Sequence, residues 1–190
     1  MNKRRFFLKN VLATSLALPA LAHAGLSGSG PTAGSGPTAE SAAAERSLRF
    51  YNTHTGETLR SVFWAEGQFL PDALLDINKL LRDHRSNTIA AIDPQLLLLL
   101  DKVSSQFGNN SIVHVISGYR SPQTNQKLAE RSDGVAKHSL HLEGRAIDMR
   151  IPGRDLANVR RAALAMQGGG VGYYPNSQFV HMDTGRVRSW

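Results

Sequence analysis

Two histidines and one aspartate in the last third of the chain could together hold a metal ion. His141 and Asp148 lie seven residues apart in one segment, and His181 lies in a later one. Two imidazoles and one carboxylate are a normal protein ligand set for catalytic zinc, whose fourth position stays open for water. The spacing alone is weak evidence, because most single histidines are structural or solvated.

The elements predicted around these residues can bring them together. Residues 146–151 have the pattern of a strand, and residues 171–174 and 179–183 that of a hairpin. His141 then lies in a loop before the first strand, Asp148 on that strand and His181 on a neighbouring one. Gly144 allows the backbone to turn sharply between the first two residues.

The other segments predict the fold class. Helices are expected over residues 71–85, 93–107, 122–131 and 155–167, a hairpin over 48–64, and a strand over 112–116. Helices come first and antiparallel strands last in this pattern. We therefore predict an α+β fold: a single compact domain with a small antiparallel sheet flanked by helices.

The composition limits the chemistry. The 190 residues include no cysteine, which excludes zinc ribbons, iron–sulfur clusters, catalytic thiols and disulfide scaffolds. A metal must then be held by histidine and carboxylate. The net charge of +7 would suggest a nucleic-acid partner, but much of it lies in the first 24 residues. Without them the chain has 18 basic and 15 acidic side chains and is only mildly basic. We expect no nucleic-acid partner.

The first 24 residues predict an export signal. A basic opening precedes an uncharged run over residues 11–21, and small residues precede a cleavage site before Gly25. The run is too short to cross a bilayer, which takes ~20 apolar residues, so we expect no stable membrane insertion of the mature protein. The paired arginines Arg4 and Arg5 resemble the signal read by the twin-arginine export machinery. A general secretory signal is the alternative, and either route predicts the periplasm.

Residues 25–45 predict a flexible linker. They are mostly Gly, Ser, Ala, Pro and Thr, and they repeat Ser-Gly-Pro-Thr-Ala at 29–33 and 35–39. Such a segment buries too little apolar surface to offset its ordering entropy. The predicted organisation is a signal over 1–24, this linker, and one folded domain over 46–190.

A longer pattern strengthens the metal interpretation. The segment 139–148 reads Ser-x-His-x-x-Gly-x-Ala-x-Asp, it follows Ile-Ser-Gly-Tyr-Arg-Ser-Pro over 116–122, and a later His lies on a terminal strand. This resembles the zinc D-Ala-D-Ala peptidase family of the M15 type, whose fold is hedgehog-like. Residues 168–175 and 179–185 and Trp190 resemble the periplasmic murein endopeptidases of the YcbK type within it. The resemblance covers about residues 48–190.

The resemblance implies an exported zinc peptidase that hydrolyses peptide cross-links of peptidoglycan. One Zn²⁺ would be held by the two histidines and the aspartate, and Arg120 would face the peptide stems. A guanidinium can hold a carboxylate of a wall peptide in two parallel hydrogen bonds. Ser117 and Ser139 would position the substrate or hydrogen-bond the ligands.

The general base is the point where the sequence departs from the wider family. Many relatives carry Glu or Asp three residues before the last histidine ligand, but this chain has Gln178 there, an amide that cannot take a proton. Asp183 is expected on the same strand face as His181. It is either the base or the residue that orients His181. His138 and Glu143 are weaker candidates for the base.

Two other functions are compatible with the same residues. One is a carboxypeptidase that trims a terminal D-Ala, whose cleft would end in a wall. The other is a peptidoglycan-binding module that keeps the metal site without catalysis, which the amide at position 178 favours.

Overall fold

Eight strands form one mixed sheet. The computed structural model describes residues 45–131 and 138–190, so the predicted export signal and nearly all of the linker lie outside the described residues. The order across the sheet is β3-β2-β1-β4-β5-β7-β6-β8. The strands are β1 (Arg46–Asn52), β2 (Thr58–Ala65), β3 (Gln68–Phe69), β4 (Val113–Ser117), β5 (Ala146–Arg150), β6 (Gly170–Tyr174), β7 (Phe179–Asp183) and β8 (Arg188–Ser189).

Four α-helices lie in the described part of the chain. They are α1 (Pro71–Leu80), α2 (Pro94–Ser105), α3 (Pro122–Ala129) and α4 (Leu156–Ala165), and a 3₁₀ turn covers Leu140–Glu143. Each predicted helix is present, although α1 ends five residues before the predicted boundary. The predicted cap of α2 is confirmed, because Asp93 Oδ1 accepts a hydrogen bond from Gln95 N at 2.9 Å.

The prediction of a small antiparallel sheet was wrong, although the α+β class is correct. The sheet has eight strands, and β1 pairs parallel with β4 while β6 pairs parallel with β8. Parallel pairings join segments far apart in the chain, and local periodicity carries no signal for them. The two-residue strands β3 and β8 are also too short to show an alternating pattern.

The two faces of the sheet centre differ in chemistry. Apolar side chains of β4, β5 and β7 belong to the buried core: Val113, Val115, Ile147, Met149, Val180 and Met182. The predicted buried helix is confirmed, since Leu96, Leu97 and Leu100 of α2 are fully buried. Alternation along the strands sends Asp148 and His181 to the opposite face. No helix among the described residues is long and apolar enough to cross a membrane.

Candidate metal centre

His141, Asp148 and His181 converge on one point. Each is buried, and Asp148 Oδ1 lies 2.9 Å from His181 Nδ1 and 3.3 Å from His141 Nε2. His141 Nε2 lies 3.3 Å from His181 Nδ1. In the described part of the chain this is the group of His and carboxylate residues that could hold a metal ion.

The strand register places two of these residues side by side. Asp148 on β5 is paired directly with His181 on β7. His141 comes from the 3₁₀ turn that precedes β5, and Gly144 ends that turn with φ of 67°. A Cβ at position 144 would overlap the carbonyl oxygen of Ala91, so the sharp turn predicted at Gly144 is confirmed and needs glycine on two grounds.

Each histidine is oriented by a hydrogen bond on the ring nitrogen that faces away from the centre. His141 Nδ1 lies 2.7 Å from the Gly118 carbonyl oxygen, so Nδ1–H donates and Nε2 keeps its lone pair. His181 Nε2 lies 3.1 Å from Asp183 Oδ2, so Nε2–H donates and, in the neutral ring, the Nδ1 lone pair faces the other two residues. Such outer partners are usual for imidazoles that bind metals.

These donors fit a zinc ion. Two imidazole lone pairs and one carboxylate oxygen repel each other unless a proton or a cation lies between them. Ligands of a tetrahedral zinc at about 2.0–2.1 Å lie roughly 3.3 Å from each other. The three donor separations of 2.9–3.3 Å are close to that value.

The charges around the centre keep the carboxylate ionised. Burial alone would raise the pKa of Asp148, but the charges of His141 and His181 and their hydrogen bonds hold it well below its usual range. Burial lowers the pKa of His181, and its hydrogen bonds to Asp148 and Asp183 outweigh that effect and raise it. Without a metal ion, these surroundings therefore favour the protonated form of His181.

Asp183 is enclosed behind His181. Its side chain is fully buried and accepts backbone hydrogen bonds from Gly170 N at 2.9 Å and Gly185 N at 2.8 Å. Arg188 lies 2.7 Å from its Oδ2. Burial would raise the pKa of Asp183, but the hydrogen bonds of His181, Arg188 and the two amides lower it. These contacts hold the Asp183 carboxylate in place against the His181 ring.

Arg120 lies beside the centre. Its side chain is nearly buried, and Nη2 is 3.5 Å from Asp148 Oδ2 and 3.5 Å from Ser117 Oγ, while Nη1 donates to Asn125 Oδ1 at 3.3 Å. Arg120 Nε is buried without a hydrogen-bond partner among the described residues. Burial lowers the pKa of Arg120, and the carboxylate of Asp148 opposes that shift.

The remaining candidates divide between the centre and the surface. Ser139 caps the 3₁₀ turn, with Oγ 3.4 Å from His141 N. Gln178 is exposed in the β6–β7 turn with φ of 56°, and its Nε2 donates to Pro175 O at 2.6 Å. Glu143 pairs with Arg145 at 3.1 Å on the surface, and His138 is exposed.

A cavity of about 450 Å³ lies along α3. Its walls include Leu142, which follows His141, and Asn125, the partner of Arg120. The remaining lining residues come from α3 and its C-terminal end: Pro122, Gln126, Ala129 and Glu130. A cavity of this size could receive a ligand.

Comparison with known proteins decides the family. Residues 40–190 match the model of an M15 peptidase family described as peptidoglycan L,D-endopeptidase MepK. The chain belongs to this family. Peptidoglycan L,D-endopeptidase MepK of Escherichia coli K12 is 46% identical over 145 residues, which cover 76% of this chain and 80% of the relative. Probable peptidoglycan L,D-endopeptidase MepK of Haemophilus influenzae is 43% identical over 146 residues, covering 76% and 78%.

The family resemblance seen in the sequence is thus confirmed for residues 40–190. No solved structure matches the chain. The sequence pattern singled out three candidate metal ligands and Arg120, and the structure brings these residues together.

Sequence reasoning missed two features of the site. Trp190 lies against His181, with ring centroids 5.3 Å apart, and only the pairing of β6 with β8 brings it there. Asp83 accepts hydrogen bonds from Ser121 Oγ at 2.6 Å and Ser121 N at 3.0 Å, which fixes the start of α3 next to Arg120. A buried aspartate before a turn carries no local signal for that role.

Proposed function

We propose that this protein is an exported, zinc-dependent endopeptidase that hydrolyses peptide cross-links of peptidoglycan. The observation that carries the proposal is the convergence of His141, Asp148 and His181 on one point, in a chain whose family and relatives are described as peptidoglycan L,D-endopeptidases. The buried Arg120 beside the donors supports a substrate that carries a carboxylate.

The bond that fits best joins two diaminopimelate residues. The relatives' names specify an L,D bond. In such a cross-link the carbonyl comes from an L centre and the amine from a D centre. In a D-Ala–diaminopimelate cross-link both centres are D, so the L,D description disfavours it.

The residues of this chain would divide the work as follows. His141, Asp148 and His181 would hold zinc, and Asp183 would orient His181. When bound, zinc polarises a carbonyl and lowers the pKa of water toward ~7. Arg120 would bind a substrate carboxylate, since its unpaired Nε–H and its Nη groups form a fork suited to two oxygens.

Ser117 and Ser139 would support this arrangement. Ser117 contacts Arg120, and Ser139 caps the turn that carries His141. Asp183 makes a poor general base in this geometry, because both its oxygens are occupied and it touches the ring edge of His181 that faces away from the other donors.

A peptidoglycan-binding module without catalysis is the second candidate. The position of the family's usual base holds Gln178, which is exposed and bonded to its own turn. A module of this kind would bind wall peptides and metal and leave the bonds intact.

Digestion of purified muropeptides tests both functions. The zinc-loaded protein is incubated with diaminopimelate-linked dimers and, separately, with D-Ala-linked dimers, each with and without chelator. Chelator-sensitive conversion of the first dimer to monomers is the expected result. Loss of one Ala from monomers would indicate a carboxypeptidase, and retained binding without cleavage would indicate a module. The His141→Ala variant is the matched inactive control.

We further propose that residues 1–24 direct export to the periplasm by the twin-arginine route and that residues 25–45 tether the folded domain. The paired Arg4 and Arg5 and the small residues before Gly25 support this reading. Lys at both positions should block export, because the twin-arginine receptor needs arginine and a general secretory signal needs positive charge. Normal periplasmic levels of the double variant would contradict the twin-arginine route.

A further inference from the structure

A row of paired positions runs across the sheet through the metal centre. Ser117 on β4 pairs with Asp148 on β5, Asp148 with His181 on β7, and His181 with Gly172 on β6. Because β6 also pairs with β8, Trp190 lies next to Gly172 at the far end of the row. Arg120 and Trp190 therefore flank the donors from opposite sides.

Gly172 lets the indole of Trp190 reach the metal centre. A Cβ at this position would come within 2.7 Å of the Trp190 ring, so only glycine leaves room for the indole there. The indole leans over Gly172 and meets His181 at 5.3 Å between ring centroids. Arg188 lies 4.8 Å from the indole centroid and also binds Asp183, the partner of His181.

Tyr174 gives the indole a polar edge. Trp190 Nε1–H donates to the Tyr174 hydroxyl oxygen at 2.8 Å, and indole nitrogen is a donor only, so the phenol proton stays available for another acceptor. Tyr174 also stacks on Phe179 at 4.5 Å.

The indole is held in place and yet open to solvent. Trp190 is 47% exposed, although packing on Gly172, Arg188 and Tyr174 fixes its orientation. A large apolar ring kept partly exposed beside a reactive centre is suited to contact an apolar part of a ligand.

We propose that Trp190, with Tyr174 at its edge, forms the substrate-binding wall opposite Arg120 and contacts the methylene chain of a cross-linked diamino acid. This inference rests on the proposed function. The chain of such a residue is apolar between polar ends. Its apolar part therefore fits against the Trp190 ring. Its polar ends fit the Tyr174 hydroxyl at the edge of that ring and the Arg120 guanidinium on the other side of the donors.

Tryptophan fluorescence gives a direct test, because the sequence has two tryptophans and Trp64 lies in β2 at the other end of the sheet. In a Trp64→Phe background the signal comes from Trp190. The ligand is a diaminopimelate-linked peptide whose scissile amide is replaced by a CH₂–NH linkage, added to the zinc-loaded protein. We expect a saturable change in emission. A peptide-free disaccharide should cause none, and a response to it alone would overturn the proposed occupant.

Kinetics of variants provide an independent test. Trp190→Ala should raise KM for the dimer ~10-fold with little change in kcat and in zinc content, while Trp190→Phe should lose less. The matched control Trp64→Ala, far from the site, should keep KM. An unchanged KM in Trp190→Ala, or a loss of zinc as the sole effect, would overturn the inference.

The tyrosine edge has its own matched pair. Tyr174→Phe removes the hydroxyl beside the indole, and Tyr173→Phe removes one on the opposite face of β6, where Arg160 covers the ring at 5.2 Å. KM should rise in the first variant and not in the second. If the unsubstituted enzyme fails to cleave the dimer, the proposed function fails. If it cleaves and both Trp190 tests are negative, this inference alone fails.

Discussion

Two close histidine pairs lie in the described part of the chain, and their surroundings differ. His54 and His84 stack face to face, with ring centroids 3.9 Å apart and planes 10° apart. His141 and His181 meet edge to face, with centroids 5.0 Å apart and planes at 66°. The stacked rings cannot direct ring nitrogens toward one point, whereas the tilted rings do.

The carboxylates explain the rest of the difference. Asp148 lies within hydrogen-bonding distance of His181, whose pKa is raised above its ordinary value despite burial. Burial, Arg85 and His54 lower the pKa of His84 to about 4, and the nearby charge of Asp83 does not compensate. A pair of histidines becomes a candidate metal site when a carboxylate faces both rings and outer partners fix their tautomers.

Removing the shared carboxylate should have the largest effect. Asp148→Asn should lose most bound zinc and all detectable hydrolysis, because three protein ligands are the usual number in catalytic zinc sites. Metal analysis of the purified variant checks this. Asp101→Asn, which removes a carboxylate paired with Arg46 away from the site, should keep full zinc occupancy. Full occupancy in Asp148→Asn would remove Asp148 from the ligand set.

Changing the outer partner should have a smaller effect. Asp183→Asn should weaken zinc affinity by ~10–100-fold, and added zinc should restore much of the rate, since the loss lies in the orientation of His181. Zinc titration followed by activity checks both points. If Asp183 is instead the general base, zinc stays bound and the rate falls ~10²–10⁴-fold without rescue.

The two pairs should respond to pH in opposite ways in the metal-free protein. The lowered pKa of His84 means that the unfolded chain binds more protons below pH 6.5, so stability falls as pH drops toward about 4. The raised pKa of His181 adds stability below 6.5 that is lost as pH rises through its folded value. NMR titration of the imidazole resonances checks both directions. If His84 became protonated at a higher pH than His181, the comparison would be contradicted.

The stacked pair should matter least to the metal. His54→Ala and His84→Ala should leave zinc content unchanged and activity within ~2-fold, because no carboxylate directs this pair at a common point. The zinc content of both histidine variants is measured together with that of Asp148→Asn, so that the three values can be compared directly. A lower zinc content in either histidine variant would contradict the distinction between the stacked pair and the candidate metal ligands.

The sequence was most informative where the chemistry is local. The turn at Gly144, within the eight-residue segment from His141 to Asp148, and the cap at Asp93 depend on neighbouring residues, and these predictions agree with the structure. Spacing alone did not establish the donor set, and the longer family pattern was needed to favour it.

The sequence was least informative where distant segments meet. The parallel pairings of β1 with β4 and β6 with β8 carry no periodic signal, so the sheet was predicted too small. Trp190 reaches His181 through one of those pairings. The two amides and the arginine that enclose Asp183 also depend on how its strand is placed, which left its role open between base and orienting residue.

The pairing of β5 with β7 would link the candidate metal centre to the correct alignment of the two strands. A slip of one residue would set Val180 or Met182 opposite Asp148 and turn His181 into the apolar core. A mispaired chain therefore could not assemble the donors. A ligand that binds only the native state stabilises that state by mass action. Zinc should therefore slow hydrogen exchange at the backbone amides of β5 and β7 and favour the correctly paired form over mispaired ones.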